Sequence, residues 1–164
     1  MGVRARNWAA GGLTVVLVGL LVAIGLVVTS RDAVDTELTA AQQDAAAAAR
    51  AEALAFLTVD HEDMERLVDA VLAGATGEFA EQYAAQRETL VREAVRTEAT
   101  SVPEVVALGV GDQDEDSATV LVAANSTVSN TGTRGEGQVR YYRLRLELVR
   151  EGDRWLTDNL QFVR

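Results

Sequence analysis

Three groups of residues have the types and spacing to do chemistry. Asp112, Asp114 and Asp116 alternate along a short acidic run, as carboxylates do in calcium loops. An EF-hand also needs Gly at its sixth position and Glu at its twelfth. Those positions hold Ser117 and Ala123, so the run reads as a solvated hairpin turn. His61 lies among Asp60, Glu62 and Asp63, a grouping that could support acid–base chemistry. These acids immediately precede an apolar periodic run, where carboxylates match the positive end of a helix dipole, and that reading is preferred. The third group is Tyr141, Arg143 and Arg145, a stripe that combines Tyr and Arg, residue types enriched at interfaces. It is the candidate partner-binding site; the alternative is a solvated or ion-paired sheet face. No nucleophile elbow, P-loop, catalytic carboxylate pair or metal-ligand spacing is seen, so no catalytic, cofactor-binding or metal residue is assigned, and the chain is expected not to be an enzyme.

The elements that must position these residues start with a membrane anchor. Asn7 to Ser30 carries no charge, and its centre is mostly Leu, Val and Ile. About 20 apolar residues cross a hydrocarbon core of about 30 Å. Arg4 and Arg6 precede the run, whereas Asp32, Asp35 and Glu37 follow soon after Arg31, which places the N-terminus on the cytoplasmic side. The run is longer than the apolar core of a signal peptide and lacks a good cleavage site. The expected organisation is a cytoplasmic tail over 1–8, a transmembrane helix over 9–29, a helical stalk over 30–52 and an outer domain over 53–164.

Composition narrows the function further. The 164 residues carry a formal net charge of -10, and every basic residue is Arg. Such a surface repels nucleic acid and anionic lipid headgroups. Cysteine is absent, which excludes disulfides and thiolate chemistry in this sequence.

Beyond the span, Asp32 to Leu57 has no Gly or Pro and reads as one Ala-rich helix, with large apolar residues only late, at Leu54, Phe56 and Leu57. Met64, Leu67, Val68, Val71 and Leu72 follow helical spacing, with Asp60 as the expected N-cap and Gly74 as the stop. Thr76 is expected to cap a third helix, striped by Phe79, Tyr83, Leu90 and Ala94, that ends before Pro103. The period then changes to two. Strands are expected around 105–110, 118–128, 139–149 and 154–163. In the third of these, Tyr142, Leu144, Leu146 and Leu148 share one face, and Tyr141, Arg143, Arg145 and Glu147 the other. Helices followed by hairpin-linked strands give an α+β fold: three helices on one face of an antiparallel sheet of about four strands, its other face more polar.

Several stretches resemble the actinobacterial Mce-associated membrane proteins, accessory proteins of mammalian-cell-entry (Mce) systems. They are Phe56-Leu57-Thr58-Val59-Asp60, Ala75-Thr76-Gly77-Glu78-Phe79 with Tyr83, Ala118-Thr119-Val120-Leu121-Val122 and Gly152-Asp153-Arg154-Trp155-Leu156-Thr157. The resemblance implies a cystatin-like or nuclear-transport-factor-like cone, a curved antiparallel sheet wrapped by helices. It also implies a single-pass accessory role beside a lipid or sterol importer, exerted through protein contacts, with no cofactor. Two alternatives remain open. One is an assembly scaffold like those of type IV secretion systems. The other is a ligand-binding or enzymatic cone, which a buried carboxylate of shifted pKa would favour; a filled cone with an exposed patch would favour the accessory role.

Overall fold

The computed structural model describes residues 38–164. The expected tail, membrane span and first part of the stalk lie outside these residues. Among the described residues no helix is long and apolar enough to cross a membrane. The elements run α1 (Ala40–Leu57), β1 (Val59–Asp60), α2 (Met64–Gly74), α3 (Gly77–Ala85), α4 (Arg87–Thr97), β2 (Thr100–Gln113), β3 (Ser117–Ser129), a 3-10 turn (Thr131–Thr133), β4 (Gln138–Glu151) and β5 (Arg154–Phe162). All five strands pair antiparallel with their sequence neighbours, in the order β1-β2-β3-β4-β5. Among the described residues the α+β expectation therefore holds at the level of class, with five strands in place of about four and four helices in place of three.

The first difference concerns the stalk. A capping box starts α1 at Thr39, within the stretch expected to be one helix: the Thr39 hydroxyl accepts the Gln42 N–H at 3.3 Å, and the Gln42 side-chain carbonyl accepts the Thr39 N–H at 2.9 Å. Ala45, Ala49 and Ala53, four residues apart, are fully buried, with Leu57 next in the row. They lie on Val120, Val122, Leu144, Leu146 and Leu148 of the sheet. Helix α1 thus belongs to the core from its second turn. A search for large apolar residues overlooks it because its buried side chains are methyl groups. They let the helix approach a floor built of Val and Leu.

The expected third helix is two helices. Gln86 separates α3 from α4 and serves both, since its N–H donates to Tyr83 at 3.1 Å and its carbonyl accepts from Leu90 at 2.9 Å. Helix α3 lies against β5 and α4 against α2, so the chain turns between two supports. Tyr83 and Leu90 still pack in the same satellite core with Met64, Leu67 and Val68. The stripe stays in phase across the break, which is why periodicity alone does not reveal it.

Two further corrections are local. Asp63, not Asp60, occupies the N-cap of α2. Asp60 is held in the sheet by pairing with Thr100, and its carboxylate accepts the Glu62 N–H at 3.0 Å. In β2 a bulge between Val105 and Ala107 shifts the alternation, so Val105, Leu108 and Val110 all pack toward the core. Pro103 is tolerated because β1 covers only Thr100 and Ser101 of that edge.

The face assignment of β4 holds. Leu144, Leu146 and Leu148 are buried beneath α1, and Arg143 and Arg145 are exposed. In urea denaturation, Leu144→Ala is expected to cost about 2–5 kcal/mol through loss of buried surface and the cavity left behind. Arg143→Ala is expected to stay within about ±0.5 kcal/mol. Equal losses from the two variants would mean that the register is wrong.

Candidate functional site

The candidate stripe lies on the sheet face turned away from the helices. Tyr141 is 80 % exposed. The register places it opposite Asn125, Arg143 opposite Ala123, and Arg145 opposite Leu121. The next strand contributes Ala107 opposite Ala123 and Gly109 opposite Leu121. Because Ala107, Gly109 and Ala123 are small, the sheet has an apolar depression here of about 320 Å³, walled by Leu121, Arg143 and Val163. Val102 and Val139 add exposed apolar surface in the row that joins them through Thr127. The outer face is therefore not simply polar, as the alternation on β4 suggests. Its apolar centre comes from small residues on β2 and β3 that show no pattern within their own strands.

Charge on this face is partly neutralised. Arg145 pairs with Glu147 at 3.0 Å, an exposed pair of the kind that contributes little stability. Among the described residues no carboxylate forms a salt bridge with Arg143. An arginine beside an apolar depression and an exposed tyrosine can accept a partner's carboxylate while its stem covers apolar surface.

The other candidates of the sequence are placed apart from this face. The Asp114 carboxylate closes the β2–β3 hairpin, accepting from the Asp116 N–H, the Ser117 N–H and the Ser117 hydroxyl at 3.0, 2.7 and 2.9 Å. The Ser117 hydroxyl, then these backbone donors, hold its pKa below the usual value. This is turn chemistry, in line with the solvated-hairpin reading. His61 sits in the turn after β1, where its backbone N–H donates to the Ala99 carbonyl at 3.0 Å. Trp155 is buried against the core, with the Arg150 guanidinium 6.0 Å from its ring centroid.

The residue that the sequence reading missed is Glu52. It lies on α1 beside the buried Ala53 and is only 3 % exposed. Its Oε1 has no hydrogen-bond partner among the described residues. Its Oε2 packs onto the backbone of Gly74, where an added Cβ would stand 2.0 Å away. A side chain at Gly74 would have to displace the Glu52 carboxyl from this position. Burial pushes the Glu52 carboxyl up to about 8. Burial, and behind it the charge of Glu52, also raises the Tyr83 phenol. A signal was present: Glu52 follows Ala49 by three residues and precedes Phe56 by four, the spacing of a buried face.

Glu52 borders an open cleft of about 300 Å³ between α1 and α2. Its walls are Ala48, Ala51 and Ala55 on one side and Ala70, Ala73 and Gly74 on the other, with Arg154 and Trp155 at the end. The floor of the sheet is separate, filled by Leu and Val side chains against the α1 alanines.

The protonation of Glu52 has a consequence for stability. With an ordinary value of 4.5 in the unfolded chain and about 8 in the fold, the native state holds the extra proton between these limits. Stability is then lost as pH rises from about 4.5 to 8, by an amount on the order of a few kcal/mol, and the loss is constant above that range. Glu52→Gln cannot ionise. Its stability advantage over the parent should widen between about pH 5 and pH 8 in urea denaturation. An advantage that does not change with pH would show that Glu52 titrates normally.

With this geometry in hand, the relatives can be placed. A protein of Mycobacterium tuberculosis, "Uncharacterized protein Rv1363c", is 28 % identical over 102 residues, which are 62 % of this chain and 37 % of the relative. The chain therefore matches little more than a third of that relative's length. Among solved structures, an IcmL-like type IV secretion system protein from Legionella pneumophila is similar at a TM-score of 0.60 and 13 % identity, covering 77 % of this chain and 93 % of the other. The periplasmic domain of DotI is similar at 0.60 and 11 %, covering 79 % and 98 %. A ketosteroid isomerase-like protein from Erwinia carotovora is similar at 0.52 and 20 %, covering 75 % and 95 %. At such identities these structures share the fold alone. The family model "Uncharacterized protein Rv1363c/MT1408-like" matches residues 8–164, nearly the whole chain, and the protein belongs to that family.

Proposed function

We propose that the protein is a non-catalytic, single-pass accessory component of a membrane-associated complex, acting through protein contacts made by the outer face of its sheet. The observation that carries this reading is the apolar depression beside Tyr141 and Arg143, open on a face that no helix of the described residues covers. The helix-side core is filled. Glu52 meets half of the criterion for a ligand-binding cone, since it is a buried carboxyl with a raised pKa. It lies at the α1–α2 seam, not within an open cone.

The partner we propose is an Mce-type lipid or sterol import complex, supported by the sequence stretches named above. In this reading residues 9–29 anchor the chain and the domain lies outside the cytoplasmic membrane. A second reading is a scaffold in a secretion-type assembly. It is supported by the fold likeness to a type IV secretion system protein and to the periplasmic domain of DotI.

Affinity purification from native membranes tests the shared core of both readings. Arg143→Glu combined with Arg145→Glu should lose the co-purifying complex while keeping the parent melting temperature. Mce components in the parent sample would support the first reading, and secretion components the second. A folded double variant that recovers the same partners as the parent would remove the sheet face as the interface.

A further inference from the structure

The α1–α2 seam carries a second inference, independent of the sheet face. We propose that the cleft beside Glu52 is a binding site for an alkylammonium group, whose nitrogen pairs with the Glu52 carboxylate and whose alkyl stem lies along the alanine walls. Small residues alone would not make this a site. The added observation is Glu52 itself, 3 % exposed, bordering the cleft, with Oε1 unpartnered among the described residues.

Three features select a cation. The first is the acid itself: one lacking a hydrogen-bond donor gains most from a ligand that brings both N–H groups and positive charge. The second is that the cleft lies at the carboxyl end of α2, the negative end of the helix dipole, where the last turn supplies no basic residue. The Ala73 carbonyl already accepts a guanidinium N–H of Arg154 at 2.6 Å, so this end of the helix demonstrably takes a cation. The third is the net charge of -10, which concentrates cations near the protein.

The walls select an alkyl stem. Ala48, Ala51, Ala55, Ala70 and Ala73 offer methyl groups and no side-chain hydrogen-bonding atoms. Two titratable groups face this region: Arg154 on β5 lines the cleft, and Tyr83 on α3 has a phenol that responds to the Glu52 charge. Arg154 is not in salt-bridge contact with Glu52, and burial is the one cause of that acid's raised pKa. The resident arginine therefore supplies no counter-ion to the ionised form of the acid. The binding step at neutral pH is an exchange: the alkylammonium enters with its charge, Glu52 becomes a carboxylate, and its proton leaves to solvent.

Calorimetry on the full-length protein with n-butylammonium tests this, run near neutral pH in two buffers of different ionisation enthalpy. The expected result is saturable binding with release of close to one proton. Glu52→Gln should weaken binding at least tenfold, and n-butanol, of similar shape but uncharged, should bind at least tenfold more weakly than the amine. Ala51→Leu, a change at an exposed wall position that leaves the carboxyl intact, should also weaken binding and covers the case in which Glu52→Gln does not fold. A helical peptide with a single lysine separates the two sources of such a group. Tighter binding than butylammonium identifies a partner's lysine, and weaker binding a free amine. Absence of saturable binding to the parent protein overturns the proposal, as would equal binding of the amine by Glu52→Gln or equal binding of butanol. None of these results bears on the sheet-face reading.

Discussion

Alanine methyl groups at positions 45, 49 and 53 rest directly on a floor of Val120, Val122, Leu144, Leu146 and Leu148, and the remaining geometry follows from that seating. Packing of this kind is unforgiving in both directions, because interiors are filled to crystal-like density. A larger helix residue would lift α1, and a smaller sheet residue would leave a void. The row of four-residue steps fixes the rotation of the helix as well as its height. With Ala53 facing the sheet, Glu52 is turned toward α2, and with Leu57 facing it, Phe56 meets the rings of Phe79, Tyr83 and Phe162.

Two glycines border the same region, and the rotation of α1 bears on the first of them. Gly74 leaves the Glu52 carboxyl room against its backbone. Gly77, at φ +53°, takes a conformation that suits glycine, and the Asp158 carboxylate occupies the space a Cβ would need. Asp158 is the extra residue of a bulge in β5, between partners of Glu147 and Leu148. The Thr76 N–H donates to the Thr157 carbonyl at 2.9 Å and its hydroxyl to Glu151 at 2.6 Å. The α2–α3 connection is thereby stitched to the last strand, next to the cleft. On the opposite side of the sheet nothing comparable among the described residues covers β2 to β4, so these residues present one filled face and one open face.

How much of this is legible in the sequence depends on side-chain size. Strand β4 reads cleanly because Leu and Arg alternate at period two, and α2 because its Leu and Val repeat at helical spacing. The role of α1 does not, because Ala is common on both buried and exposed helix faces and only its four-residue repeat distinguishes them. The apolar centre of the open face is hidden for a related reason. It is assembled across strands from Ala107, Gly109, Ala123 and Leu121, and strand register is not written locally. The break at Gln86 leaves no trace because the apolar stripe stays in phase. Glu52 was readable in principle: an acid three residues after Ala49 and four before Phe56 asks for an explanation.

The seating of α1 is tested most directly by enlarging one alanine on each side of the helix. Ala49 is fully buried, and Ala47, two residues away, is exposed. Chemical denaturation of Ala49→Leu should show a loss of about 1–3 kcal/mol from overpacking. Ala47→Leu should remain within about ±0.5 kcal/mol. If Ala49→Leu is as stable as the parent, α1 does not rest on the Leu and Val floor, and the placement of Glu52 that follows from that contact would fall with it.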